Sequence, residues 1–282
     1  MALNRQTFRT RALTAAVFVI IMVGGLFLNK WSFILLFTVI HFGAWWEYLK
    51  LIEKIHTTFF DPYVRLGFML IGFDIMLLLA GPEFRIGNYE LSGNISLPVS
   101  AAGFVLLVLG IFQKTPLKLK GFVTALCGVI YISLPLGLML DLSSGRPAGW
   151  SFNPFYPVVI LFCLWINDTM AYLVGSFIGK TPLSPISPQK TWEGTVGGIL
   201  LCILLAFTIT WFTRYDAVQV AILAAVAAVA GTFGDLFESK LKRMAGVKDS
   251  GSIMPGHGGF LDRFDSLLFA VPACWLLLYF WL

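Results

Sequence analysis

An all-α polytopic transmembrane bundle of about nine spans, N-terminus cytosolic and C-terminus on the opposite side, is the fold the sequence predicts. Composition is the first reason: of 282 residues 58% are hydrophobic and only 12% charged, with a mean hydropathy of +0.83. An ordinary soluble domain carries about a quarter charged residues. A chain of this size has no core large enough to hide so much apolar surface, so most of it faces lipid or other spans. A soluble globular enzyme is excluded. The second reason is the spacing of apolar stretches, and the third is the uneven distribution of the basic residues between them.

The apolar stretches fall at 12–28, 31–49, 63–81, 97–112, 121–140, 155–176, 195–212, 217–237 and 264–282. At roughly 20 residues per crossing each can span the hydrocarbon layer, and no sizeable soluble domain fits in what remains. The first follows Arg5, Arg9 and Arg11 as a secretory signal would. No small-residue cleavage site follows it and more spans do, which predicts an uncleaved helix. Asn29 and Lys30 leave room only for a tight turn, so the first two spans form a helical hairpin. With a cytosolic N-terminus, one side holds Arg5, Arg9, Arg11, Lys50, Lys54, Arg65, Lys114, Lys118, Lys120, Lys180, Lys190, Lys240, Lys242, Arg243, Lys248 and Arg263. The other keeps only Lys30, Arg85, Arg146 and Arg214, a four-to-one asymmetry that supports span count and orientation together. The net charge of +5 then needs no nucleic acid, because basic cytosolic loops orient the chain and meet anionic lipid.

No long linker or internal repeat divides the chain, which reads as one integral membrane domain, 1–282, with N-terminal spans in 1–153 and C-terminal spans in 154–282. Small residues at Ala221, Ala224, Ala225, Ala228, Gly194 and Gly198 let helix backbones approach, chiefly for internal packing, with a homodimer interface as the minority use. Cys127, Cys163, Cys202 and Cys274 lie inside apolar runs without paired spacing and read as packing residues.

An ionisable group at lipid depth costs on the order of 3 kcal/mol and asks for a reason. Asp74 has no polar companions nearby and carries little functional weight. Asp168 stands in N-D-T-M-A-Y ahead of Gly175 and Gly179, with function and helix-helix hydrogen bonding evenly matched. Residues 175–181, G-S-F-I-G-K-T, have three residues between the glycines where a Walker loop needs four, and follow a helix rather than a strand, so that motif is rejected. The next loop, stiffened by prolines, presents Lys190 on the cytosolic side.

The most informative segment begins at Gly234. If the eighth helix continues past the membrane surface, Asp235, Glu238, Ser239 and Lys242 share one face. Asp262 and Asp265 likewise share a face at the start of the ninth. Carboxylates from two helix ends can converge on a cation, and hard oxygen ligands suit Mg²⁺, which takes one or two carboxylates and completes its shell with water and phosphate. Lys240, Lys242, Arg243, Lys248, His257 and Arg263 surround them and would screen a polyphosphate. Gly256, Gly258 and Gly259 add backbone N–H groups free to point at an anion. Topology explains the lysines; it does not explain Asp235, Asp262 and Asp265 at span ends. Phosphoryl or nucleotidyl transfer at the cytosolic border is the chemistry these residues describe.

At these residues the chain resembles the phosphatidate cytidylyltransferase (CDP-diacylglycerol synthase) family. The matching positions are Ser239, Lys242, Arg243, Lys248, Asp249, His257, Gly258, Gly259, Asp262, Arg263 and Asp265, all in register over 27 positions. Met254 replaces the usual Leu, Ile or Phe, one apolar residue for another. D-T-x-A-Y-x-x-G around Asp168 and S-P-x-K-T-W-E-G around Lys190 also look like family features, whereas the first half matches only in its many-span character.

The resemblance implies an enzyme of phospholipid biosynthesis in a bacterial inner membrane, its active site facing the cytosol. The implied reaction is CTP plus phosphatidic acid giving CDP-diacylglycerol and pyrophosphate, with Mg²⁺ and a second cation such as K⁺. Asp235 and Asp262 would then take the metal, with Asp265 and Asp168 as helpers or second-cation ligands. Lys240, Lys242, Arg243 and Lys248 would neutralise the triphosphate, His257, Gly258 and Gly259 would shape the pocket, and Lys190 or Arg263 would hold the lipid phosphate. Ser187 and Ser239 complete the substrate-binding set. The attacking phosphate, with a second pKa of about 6, needs no strong general base. Three rival readings stand beside this one: a CTP-dependent kinase or cytidylyltransferase of a polyprenol or another lipid, a transporter, against which no matched broken helices appear in two halves of the chain, and a purely structural membrane scaffold, against which the full signature stands.

Overall fold

The computed structural model describes residues 5–113, 118–144, 151–251 and 258–281. His257, Met254, Lys114 and Arg146 lie outside the described residues. Each predicted apolar stretch overlaps a helical segment, and the helices Arg5–Phe27, Lys30–His56 and Ala217–Met244 each run about seven residues past the predicted bounds. Among the described residues seven such segments are long and apolar enough to cross a membrane, and the protein is a multi-pass membrane protein. The apolar part of α1 (Arg5–Phe27), Thr14–Phe27, and the 17-residue α3 (Pro62–Leu78) are shorter than that.

The chain folds as two compact units: 1–154 with 244–263, and 155–243 with 264–282. In the first, α1 and α2 (Lys30–His56) form the predicted hairpin. Asn29 accepts from the N–H groups of Trp31 and Ser32, and the Ser32 hydroxyl accepts from Asn29 N–H, a reciprocal cap that satisfies orphan donors. Thr57, in the left-handed region at φ 50°, ends α2. Asp61 and Pro62 start α3. Its backbone meets α4 (Ser96–Ile111) so closely that a Cβ on Gly103 would lie 3.0 Å from Ile71 N. Asp74 is partnered here by Ser96 and Ser100 of α4, a helix-helix contact rather than a site.

The segment Leu119–Leu142 comprises α5 (Leu119–Leu126), a π turn over Val129–Ser133 and α6 (Leu134–Leu142). Pro135 offers no N–H to the preceding turn, and the wider turn there accommodates it. Ser133 accepts from Trp45 Nε1 at 2.8 Å and meets His41 Nε2 at 3.0 Å, so these two ring nitrogens are paired inside an aromatic core containing Phe33, Phe37, Phe60 and Phe68. Two short strands, β1 (Arg85–Ile86) and β2 (Tyr89–Glu90), make a hairpin between α3 and α4.

The second unit contains α7 (Phe155–Ile178), a hairpin of β3 (Pro182–Ser184) and β4 (Ser187–Thr191), α8 (Trp192–Trp211), α9 (Ala217–Met244, to Arg243) and α10 (Leu261–Trp281, from Phe264). Small residues bring these helices together: a Cβ on Gly198 would lie 2.7 Å from that of Ala171 on α7, and Ala224, Ala227 and Ala228 of α9 are fully buried. All four cysteines are free thiols.

Candidate active site

In the second unit α9 runs unbroken through Gly234 to Arg243, so Asp235, Glu238, Ser239 and Lys242 stand one turn apart along a single helix. Gly234 makes the next step feasible. A Cβ there would lie 2.5 Å from the Asp265 carbonyl oxygen, so only glycine lets α9 touch the first turns of α10. That approach brings the Asp265 side chain within hydrogen-bond reach of Asp235 and close to Glu238. Lys190, at the end of β4, pairs with the Asp235 carboxylate, and Lys242 pairs with Glu238, whose side chain is wholly buried. Asp168 of α7 lies within the field of Lys190 and Asp235 and hydrogen-bonds Asn167. Acids and bases that are up to 97 positions apart in the chain thus alternate in one place. Two carboxyl groups in hydrogen-bond reach require a proton or a cation between them. Hard oxygens from Asp235 and Asp265 fit a cation such as Mg²⁺, which needs only one or two carboxylates. Among the described residues no three His, Cys, Asp or Glu side chains gather as a ready metal cage.

Lys190 is held more firmly than a loop lysine. The stretch read as a proline-stiffened loop is the β3–β4 hairpin, with Pro182 opposite Thr191 and Ser184 opposite Ser187. Glu193 accepts from the N–H groups of Lys180 and Thr181 and from the Thr181 hydroxyl, while Thr191 caps α8 by accepting from Gly194 N–H at 3.1 Å. Both ends of the hairpin are therefore tied to the start of α8. Gly175 and Gly179 do not cradle an anion: α7 continues to Ile178, and a Cβ on Gly179 would lie 2.6 Å from Thr191 Oγ1. They make room for the hairpin.

The first unit contains a different constellation. Glu47, in the middle of α2 and 2% exposed, accepts from Phe260 N–H at 3.0 Å through Oε1, and from Leu261 N–H at 2.9 Å and the Ser250 hydroxyl at 2.7 Å through Oε2. Asp262 Oδ2 in turn accepts from Ser250 N–H at 2.9 Å and Gly259 N–H at 2.8 Å, and lies 2.9 Å from the same hydroxyl. Gly258 has φ +82°, and a Cβ on Gly251 or Gly259 would strike the Glu47 carboxylate. The expectation that glycine-run N–H groups are free for an anion is corrected for Gly259. Helix starts leave orphan donors, and here carboxylates of the protein already fill that need at Gly259, Phe260 and Leu261.

The sequence does not single out Glu47 or Ser250, and Glu193 stands out there only as one residue of the S-P-x-K-T-W-E-G stretch. A signal existed for the first: it is an acid within an apolar stretch, the criterion that singled out Asp74 and Asp168. Of the remaining candidates, Lys240, Arg243, Lys248 and Arg263 are exposed, Ser239 and Ser187 are half-buried on α9 and β4, and His257 lies outside the described residues. A cavity of about 620 Å³ in the first unit is lined by Lys50, Lys54, Lys118 and Ser250 among others. Lys118 there donates to the His56 and Thr57 carbonyls at the end of α2.

Comparison with known proteins yields a consistent result. A profile described as "Cytidylyltransferase family" matches residues 9–281. A phosphatidate cytidylyltransferase of Synechocystis sp. is 39% identical over 146 residues, 49% of this chain and 50% of its own length. One from Bacillus subtilis is 40% identical over 161 residues, 56% of this chain and 58% of its own. One from Staphylococcus haemolyticus is 32% identical over 214 residues, 75% of this chain and 78% of its own. The chain spans about half the length of several of the curated relatives it matches.

Proposed function

The chain belongs to the cytidylyltransferase family, and on that premise we propose that it condenses CTP with phosphatidic acid to give CDP-diacylglycerol and pyrophosphate. Three matched relatives carry the name phosphatidate cytidylyltransferase. The observation that carries the reading is the alternation of Asp168, Lys190, Asp235, Asp265, Glu238 and Lys242 in one unit. Such a site suits two anions that must be brought together.

In the reaction an oxygen of the lipid phosphate bonds to the α-phosphorus of CTP, and the bond from that phosphorus to the bridging oxygen breaks, releasing pyrophosphate. Positioning and charge do the work, because the nucleophile is already largely deprotonated at neutral pH. Asp235 and Asp265 would hold Mg²⁺, and Asp168, in the field of Asp235, would serve a second cation such as K⁺. Such an ion, when bound, would supply positive charge to offset the negative charge of the two phosphate groups. Lys190, fixed on its hairpin, exchanges its Asp235 contact for the lipid phosphate. Lys242, with the exposed Lys240 and Arg243 of the same helix, neutralises the polyphosphate. Asp262 is assigned to shaping its loop, since Oδ2 already accepts hydrogen bonds there. The site faces the cytosol of a bacterial inner membrane, the side on which sixteen of the twenty Lys and Arg fall by the orientation argued from the sequence.

The test uses purified full-length protein in detergent, CTP labelled at the α-phosphate or, in a parallel assay, at the γ-phosphate, and phosphatidic acid or a polyprenol as acceptor, with and without Mg²⁺. Label in the lipid product from phosphatidic acid, lost on chelation, supports the reading. Transfer of γ-label to a lipid alcohol, or no labelled lipid from any acceptor, overturns it.

A further inference from the structure

We infer that Glu47, far from the motif in sequence, is a positioning residue that holds the 258–262 turn, and with it Asp262, in working geometry. The inference rests on the proposed cytidylyl transfer for its activity readout. Its structural basis lies wholly within the first unit.

A carboxylate is the side chain this place calls for. Oε1 faces the N–H of Phe260, and Oε2 faces the N–H of Leu261 and the Ser250 hydroxyl. Both oxygens must accept. Glutamine, equal in size, would turn an NH₂ group against one of the two backbone donors whichever way its amide were flipped, leaving a buried donor facing a donor. Glu47 also sits at the N-terminal end of α10, where the helix dipole favours negative charge. Two glycines, Gly251 and Gly259, are shaped around it, since a Cβ at either would collide with its carboxylate. Ser250 links the anchor to the motif: its hydroxyl lies 2.7 Å from Glu47 Oε2 and 2.9 Å from Asp262 Oδ2, and its N–H donates to Asp262. One hydroxyl proton serves one carboxylate at a time, so the two acids are coupled through a single serine. Asp262, Gly258 and Gly259 all belong to the matched motif, whereas Glu47 touches none of the substrate groups proposed above; it acts through them. A topology charge would be solvated, and a packing residue would be apolar. Glu47 is neither.

The test compares Glu47→Gln, Glu47→Asp and, as a control in the same helix, Glu53→Gln, which breaks the ion pair with Arg65. Amide hydrogen exchange of the detergent-purified protein is followed at 259–261, a readout that needs no substrate. Turnover is measured as kcat, KM for CTP and the Mg²⁺ concentration for half-maximal rate. In Glu47→Gln, exchange at 259–261 accelerates, kcat falls by roughly 10- to 100-fold, as for other orienting partners of a metal-assisted site, and KM for CTP moves by less. Glu47→Asp, keeping the charge, recovers part of kcat. Glu53→Gln lowers thermal stability while kcat stays within about twofold of wild type, the range expected away from the site. Unchanged exchange at 259–261 in Glu47→Gln overturns the inference whatever the wild-type enzyme does. So does faster exchange with wild-type kcat, or an equal kcat loss in Glu53→Gln. Failure of the wild-type protein to label any lipid strikes instead at the proposed reaction.

Discussion

Carboxylates are neutralised in two different ways in this protein. In the second unit Asp235 and Glu238 are met by Lys190 and Lys242, long side chains with rotatable ammonium heads. In the first unit Glu47 and Asp262 are met by backbone N–H groups and a serine, which cannot swing away without moving the chain. A lysine can be displaced by a cation or drawn off by a phosphate; an amide of a helix start cannot. The first arrangement is suited to exchanging ligands during a reaction and the second to holding a shape, which is how the catalytic and positioning roles are divided above.

Four substitutions sharpen or break that contrast. Asp235→Asn removes the acid that Lys190 and Asp265 share and is expected to lower turnover by about a thousandfold, the scale of losing a principal electrostatic group, with little change in melting temperature. Retained turnover would reverse the assignment. Lys242→Met leaves the buried Glu238 without its lysine and should cost about 3 kcal/mol of stability, read by thermal unfolding in detergent. If stability holds and only the CTP requirement rises, the lysine belongs to the substrate alone. Gly258→Ala forces a side chain into the left-handed region beside Asp262 Oδ2, with about 1–2 kcal/mol of strain, and should accelerate exchange in the neighbouring turn. Thr191→Ala takes one cap from α8 and should cost about 1 kcal/mol, loosening the hairpin that carries Lys190 and raising KM for the lipid more than for CTP.

Much of the fold was legible beforehand. Apolar runs of span length near Asn29, Asp61 and Pro62 become helices because lipid leaves a backbone no other local way to satisfy its own hydrogen bonds, and the punctuating residues cap them. The 184–194 stretch was legible in its residues but not its shape: alternate β pairing depends on closure by Glu193, which no period reveals. Within the site, Asp168, Lys190, Asp235, Asp265 and Lys242 could be named from motif and position. Glu47 was visible only as an acid within an apolar stretch, and its role was not, because the motif covers only the second half of the chain and the partners of this acid lie more than 200 positions away.

Local sequence therefore determined that the chain forms membrane helices, roughly where they lie, and which side chains carry charge near their ends, since each of these follows from the covalent neighbours of a residue and the cost of polar groups in hydrocarbon. Tertiary structure alone decided which charge meets which. Gly234 admits Asp265 to Asp235, and Gly251 and Gly259 admit Glu47 to the start of α10, through approaches that no single segment encodes. Pairing across such distances is set by the packing of whole helices, and a buried carboxylate takes whichever donors that packing delivers.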